Sequence, residues 1–365
     1  MVLAKQWVLK NLPIPGEPFN FDFTDPECTF ELIEKELCSN QLKDGELLLE
    51  THYLSNDPAQ KFWISSRDKN YAKGVQPGDI IPARGIGKVL ASKNKEYSPG
   101  DYVSAKTCWT THVIVPQSSV KELRKVDKDK VGKLWWYLSV LGGTSLTAYF
   151  IFFHYAQLQE REEDYGKVYL ISGAAGAVGN ICIQLALNVF RASKVIAIAG
   201  GPKKVEFVET FGENVVGVDY KDPELKKKLI QAAGGENTVD YFIDNVGGDI
   251  LEAGVVLLKQ KAMLIACGAI SAYNDPSKFV FKSYGYVLTK RLVIKGVLVT
   301  DHNDEFPKAL ERLSVFLTHG QISVLNSATL KDAVGDNFKN VPLIWKGLFN
   351  GINIGKLITE VKKDE

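Results

Sequence analysis

The chain has 365 residues, a formal net charge of +1, and 24% charged against 45% hydrophobic side chains. That length allows two domains with ample core, and the composition is ordinary for a globular enzyme. A near-zero net charge excludes general electrostatic attraction to nucleic acid, and five scattered cysteines with no CxxC pair argue for reduced thiols and against a disulfide framework or zinc cluster.

Met1 to Trp7 shows no long apolar core before a cleavage site, so no secretion signal is expected. Residues 1–133 alternate short strands with turns. Lys5–Lys10, Phe30–Leu37 and Leu47–Tyr53 are strand candidates, and Pro77-Gly78-Asp79 and Pro99-Gly100-Asp101 punctuate the stretch. Ile86–Ala91 and Pro99–Ala105 read as a hairpin, and Trp109–Val115 as the next strand. Such spacing predicts a β-barrel-like domain. Leu134–Gln159 carries no charge and is long enough to span a membrane. Gly142-Gly143-Thr144-Ser145 interrupts it, so two buried helices around a break are expected, and no membrane.

Lys167-Val-Tyr-Leu-Ile-Ser-Gly173-Ala-Ala-Gly176-Ala-Val-Gly179 organises the second half. An apolar run rich in β-branched and aromatic residues is followed by three glycines spaced three apart, then by the apolar segment Asn180–Phe190. This predicts strand, tight turn and buried helix. Glycines let the backbone reverse and approach a diphosphate, and the helix N-terminus offers N–H groups to it. A second strand, Lys194–Ala199, completes a βαβ unit. At its end an enzyme using NAD would place an acid to hold the ribose. Here Gly200-Gly201-Pro202-Lys203-Lys204 follows, and two cations suit a ribose 2′-phosphate, hence NADP(H).

The alternation continues through strands at 215–218, Thr238–Asp244, Ala262–Ala266 and Leu292–Val299, with helices at Pro223–Ala233 and Phe306–Leu317. That is a doubly wound parallel sheet. Asn245, Gly268 and the 269–275 loop fall at carboxyl strand ends, where such sheets bind ligands. Val341–Phe349 reads as an amphipathic helix with Pro342 near its start. The strand ending at Val361 would return to the first domain, and the tail 362–365 is expected to fray.

Together, Ala174-Ala-Gly-Ala-Val-Gly179, Asp244-Asn-Val-Gly-Gly248, Cys267-Gly-Ala-Ile-Ser-Ala-Tyr-Asn274, Trp109-Thr-Thr-His112 and Asn353-Ile-Gly-Lys356 resemble the zinc-free medium-chain dehydrogenase/reductases over nearly the whole chain. The resemblance is to the NADP-dependent alkenal/2-alkenone double-bond reductases, which include prostaglandin reductase (leukotriene hydroxydehydrogenase). It implies an α/β fold in which a Rossmann NADP-binding domain, 139–318, is flanked by a GroES-like β-barrel catalytic domain built from 1–138 and 319–365. It also implies NADPH as hydride donor, no metal, and a homodimer joined along the sixth strand.

Carried onto this chain, the cofactor-binding set is Gly173, Gly176, Ala177, Val178, Gly179, Lys203, Lys204, Tyr220, Asn245, Cys267, Gly268 and Asn353. Gly176 and Gly179 would sit under the diphosphate, Lys204 at the 2′-phosphate, Tyr220 at the adenosine end, and Asn245 and Asn353 near the nicotinamide. Tyr273 would lie beside the substrate carbonyl as the catalytic residue. Two departures stand out. Relatives often read Asp-Pro-Tyr-Met-Arg where this chain has Asp57-Pro58-Ala59-Gln60-Lys61, so a tyrosine that shapes the substrate pocket is missing. Zinc-bearing relatives carry Gly-His-Glu where this chain has Arg84-Gly85-Ile86-Gly87, and His52 and His112 read as structural.

The activity implied is NADPH-dependent reduction of a small hydrophobic enal or enone, with Trp109, Phe349 and Tyr284 as apolar pocket candidates. Quinone reduction, and an NADPH-binding protein with little turnover, remain open beside it. The expected location is the cytoplasm, with passive entry to the nucleus.

Overall fold

The computed structural model describes residues 1–14, 17–65, 74–128, 132–325 and 327–364. It divides into two compact units, Met1–Leu138 with Ala328–Glu365, and Ser139–Ser327. The second unit runs past Thr318 because the following segment docks on the helix Ala177–Asn188. There Gln184 Oε1 accepts from Ser323 N–H (2.6 Å) and Asn188 Nδ2 donates to Gln321 O (2.8 Å).

Before Leu138 the strands are β1 (Val2–Leu9), β2 (Phe30–Leu37), β3 (Leu47–Ser55), β4 (Gly85–Ser92), β5 (Tyr102–Ala105), β6 (His112–Val115) and β7 (Arg124–Val126). The second unit holds β8 (Val168–Ile171), β9 (Lys194–Ala199), β10 (Val215–Asp219), β11 (Val239–Asp244), β12 (Leu258–Ala266) and β13 (Val293–Gly296). The chain closes with β14 (Ala328–Asp332) and β15 (Lys356–Glu360).

In the first unit β15 pairs antiparallel with β3, which also pairs with β4 and β6, so the C-terminal strand does return to the N-terminal sheet. β4 and β5 form the expected hairpin. Aromatic side chains fill the core, with Phe30 and Trp109 rings 5.5 Å apart and Trp109 and Trp345 5.8 Å apart. Trp109 is wholly buried there, Phe349 packs on Trp345, and Tyr284 is exposed in the other unit. The apolar character of Trp109 reflects core packing.

The tail is docked as far as Asp364. Val361 and Lys362 N–H both donate to His52 O (2.8 and 3.2 Å), and Lys362 pairs with Glu50 (3.2 Å). His52 is buried, with Glu50 and Asp364 carboxylates 3.4 and 3.5 Å from its ring nitrogens. Burial nevertheless holds its pKa down, against the pull of both acids.

The uncharged stretch after Lys133 is not two helices. Leu134–Tyr137 is one 3₁₀ turn. The helix Gly143–Phe150 starts at the glycine pair, with Gly142 at its N-cap, and passes into a π-helical turn at Ile151–Tyr155. Glycine here begins a helix instead of breaking one. Among the described residues no helix is long and apolar enough to cross a membrane.

The second unit's sheet is parallel, in the order β10-β9-β8-β11-β12-β13. β8 and β9, both interior strands, are near-continuous buried apolar runs, as expected when helices cover both faces. β13 is shorter than its apolar run, because pairing with β12 ends at Ala266 and Gly296 and a 3₁₀ segment, Val299–Glu305, follows.

Candidate nucleotide-binding site

Strand order reverses between β8 and β11, and ligands of such sheets sit in the crevice at that reversal. The loop after β8 enters it. Gly173 takes the left-handed conformation (φ 59°), and Gly176 N–H closes the turn onto Gly173 O (2.9 Å). The helix Ala177–Asn188 then packs directly on that turn. A methyl on Gly179 would lie 2.4 Å from Gly173 O and 2.6 Å from Ala174 Cα, which only glycine avoids. No side chain caps this helix. The N–H groups of Ala177, Val178 and Gly179 lack intrahelical acceptors by position, and Gly176, Ala177 and Val178 are half-exposed. The result is an anion cradle of bare backbone.

At the end of β9 the backbone swings through Gly201 (φ 86°) into the helix Pro202–Glu209, which carries exposed Lys203 and half-buried Lys204. Burial, and then the positive charge of Lys221, lower the Lys204 pKa. Two cations thus crowd a place where an anion would relieve both. The Tyr220 ring covers Gly200, where a methyl would meet it at 2.6 Å. An acid does stand nearby, supplied by the next strand. Asp219 Oδ1 accepts from Gly201 N–H and Lys221 N–H, each at 2.9 Å, so it braces the loop. Lys221 and Asp219 are participants that the reading of β9 alone misses; their signal is an acid–aromatic–cation run closing β10.

At the carboxyl ends of β11 and β12 the central group is Asp244, also missed from the sequence. It is buried, and accepts from Ser172 Oγ (2.5 Å), Val246 N–H (3.1 Å) and Gly247 N–H (3.0 Å). Burial raises its pKa, opposed by those hydrogen bonds. A carboxylate ending an apolar strand must be bonded in this way, and that was the available signal. Asn245 N–H donates to Ser172 Oγ (2.8 Å) and its Nδ2 to Ser172 O (2.7 Å), which pins its side chain beside Gly173. Cys267 and Gly268 N–H both donate to Asp244 O (2.8 and 3.1 Å), so these amides serve the fold. Burial, and then Asp244, push the Cys267 thiol up to about 12, so it is no thiolate. Tyr273 folds back over this edge. Its hydroxyl accepts from Ala269 N–H (3.4 Å), and a methyl on Gly268 would lie 3.5 Å from it.

The structure thus gathers Gly173, Gly176, Ala177, Val178, Gly179, Asn245, Gly268 and Tyr273 along one sheet edge, with Lys204 and Tyr220 after the neighbouring strands. Asn353 belongs to the first unit, where its Nδ2 closes its own turn onto Gly355 O (2.6 Å).

Residues 5–123 match the family described as the N-terminal domain of oxidoreductase, and residues 177–315 that described as zinc-binding dehydrogenase. An uncharacterized membrane protein of Saccharomyces cerevisiae, YML131W, is 81% identical over the whole of both chains. Prostaglandin reductase 1 of Bos taurus is 32% identical, over 99% of this chain and 100% of its own. The chain belongs to the prostaglandin reductase branch of the zinc-free medium-chain dehydrogenase/reductases. The crystal structure of CurA in complex with NADPH from Vibrio vulnificus matches with a TM-score of 0.82 at 26% identity, over 99% of this chain and 100% of that one. The two units are accordingly a GroES-like domain and a Rossmann domain, and the chemistry of the family is that of an oxidoreductase.

Proposed function

We propose that the protein reduces the carbon–carbon double bond of α,β-unsaturated aldehydes or ketones with NADPH. The cofactor fits the residues present. The Gly173–Gly179 cradle suits a diphosphate, and the Lys204–Lys221 pair suits a 2′-phosphate. Prostaglandin reductase 1 and NADPH-bound CurA support the same reading by similarity. When bound, NADPH supplies a hydride for the β-carbon.

The observation that carries the proposal is the position of Tyr273 at the crevice edge beside Gly268. Accepting from Ala269 N–H turns the hydroxyl proton away from that amide, as a donor. It donates to the substrate carbonyl oxygen as negative charge builds there, and a donor of this kind lowers a barrier by about 2.7–4 kcal/mol. The α-carbon then takes a proton from Tyr273 or from water.

A panel of 2-alkenals, 2-alkenones and quinones with NADPH or NADH, with products identified by mass spectrometry, tests the reading. Saturated carbonyl products with NADPH preference are expected, and Tyr273→Phe should lower kcat by roughly 10²–10³. An unchanged kcat would remove Tyr273 from the chemistry. Hydroquinone as the sole product would move the protein to quinone reduction, a reading favoured by Ala59 standing where relatives carry a pocket tyrosine. Binding without turnover on any substrate would favour an NADPH-binding protein instead.

A further inference from the structure

We propose that His154, His302 and Glu305 form a binding site for a divalent cation of the zinc class, outside the nucleotide crevice. The three offer ligand atoms all within 4.8 Å of one another. His154 comes from the π-helical turn Ile151–Tyr155, and π-turns recur at functional sites because the extra residue re-aims a side chain. Here the turn brings the exposed His154 ring onto the buried His302 ring, with centroids 4.0 Å apart. His302, at a kink in the 3₁₀ stretch Val299–Glu305, and Glu305 at its end come from a different part of the chain, so the ligands join two separate stretches.

The spacing fits a metal. His302 Nδ1 lies 3.2 Å from Glu305 Oε1. Two ligands bound tetrahedrally at 2.0–2.1 Å stand about 3.3 Å apart. His154, being exposed, closes the remaining ångström or so by side-chain rotation. The far side of His302 is built as a metal-bound histidine requires. Its Nε2 lies 3.3 Å from Tyr155 Oη, which itself accepts from Leu298 N–H (3.1 Å) and lies 3.3 Å from Leu298 O. If the tyrosine donates to Leu298 O, His302 Nε2–H donates to Tyr155. The Nδ1 lone pair then faces the Glu305 carboxylate across 3.2 Å, a gap that a bound cation can bridge. Such outer hydrogen bonds fix the tautomer of metal-bound histidines. With the other tautomer, Nδ1–H simply donates to Glu305. Two imidazoles and one carboxylate suit zinc and its transition-metal neighbours, whereas calcium and magnesium take oxygen ligands. Three protein ligands leave a fourth position for water.

The test uses the full chain, stripped with a chelator and titrated with zinc, and separately with cobalt, by calorimetry and visible absorption. One equivalent of zinc should bind and raise Tm. Cobalt should give d–d bands without a thiolate charge-transfer band. His154→Ala, an exposed substitution, and Glu305→Gln should each weaken binding by roughly tenfold or more, and Tyr155→Phe by about tenfold through loss of the orienting hydroxyl. No stoichiometric zinc, a thiolate signature from the cysteines, or unchanged affinity in His154→Ala would overturn the site and leave only the His302–Glu305 hydrogen bond.

Discussion

At the Gly173–Gly179 turn the chain leaves backbone N–H groups open and strips away side chains. Around Asp57, in the other unit, it does the reverse. Asp57 pairs with the Nζ of buried Lys356, accepts from Ser55 Oγ (2.5 Å), and donates its N–H to Gln60 Oε1 (2.8 Å). Its carbonyl accepts from Trp345 Nε1 (3.0 Å), and Lys356 Nζ also donates to Asn56 O (3.0 Å). Gln60, wholly buried, reaches Pro82 O (2.9 Å). Polar groups held open are available to a ligand, and polar groups closed on each other serve stability. The departure at Ala59-Gln60-Lys61 therefore sits inside a fixed corner of the first unit.

Substitutions should separate the two regions. The largest effect is expected from Gly179→Val. The side chain would strike the Gly173 and Ala174 backbone, and NADPH binding, read by fluorescence titration, should be lost. Retained binding would show that the turn is not the diphosphate cradle.

Next comes Asp57→Asn, which leaves the Lys356 charge buried without its partner and should cost about 3–5 kcal/mol in urea unfolding. Burial alone would raise the Asp57 pKa, but Lys356 and Ser55 outweigh it and hold the carboxyl below its usual range. Its stabilisation is then full above the unfolded carboxyl's pKa and lost as pH falls through the lowered folded value. Wild type should lose stability over that acid window, and the Asn variant should lack this component.

Lys204→Ala should weaken NADPH by about tenfold to a hundredfold, the 1.5–3 kcal/mol of a charged hydrogen bond, while leaving NADH binding unchanged. Equal losses for both nucleotides would make Lys204 merely structural.

The smallest effect concerns Lys61. Its side chain is buried, with Nζ 4.0 Å from the centre of the Phe19 ring, and burial lowers its pKa to about 8. Between that value and the ordinary lysine value the unfolded chain binds the extra proton, so stability should rise with pH across this window. Lys61→Met should remove that rise, and identical pH profiles would refute the assignment.

Short-range chemistry in the sequence determined much of this protein. Glycine spacing, apolar runs and turn residues report local backbone demands, so the βαβ turn, the parallel alternation, the β4–β5 hairpin and the returning strand β15 were legible. Tertiary structure alone decided what depends on partners distant in the chain. Asp244 acquires its role from Ser172 on another strand, Asp219 braces Gly201, and Trp109 is core because Phe30 and Trp345 enclose it. The tail is held by His52, and His154 meets His302 only through a π-turn. Hydrogen bonding and burial are pairwise properties of folded neighbours, and no single stretch of sequence carries both members of such a pair.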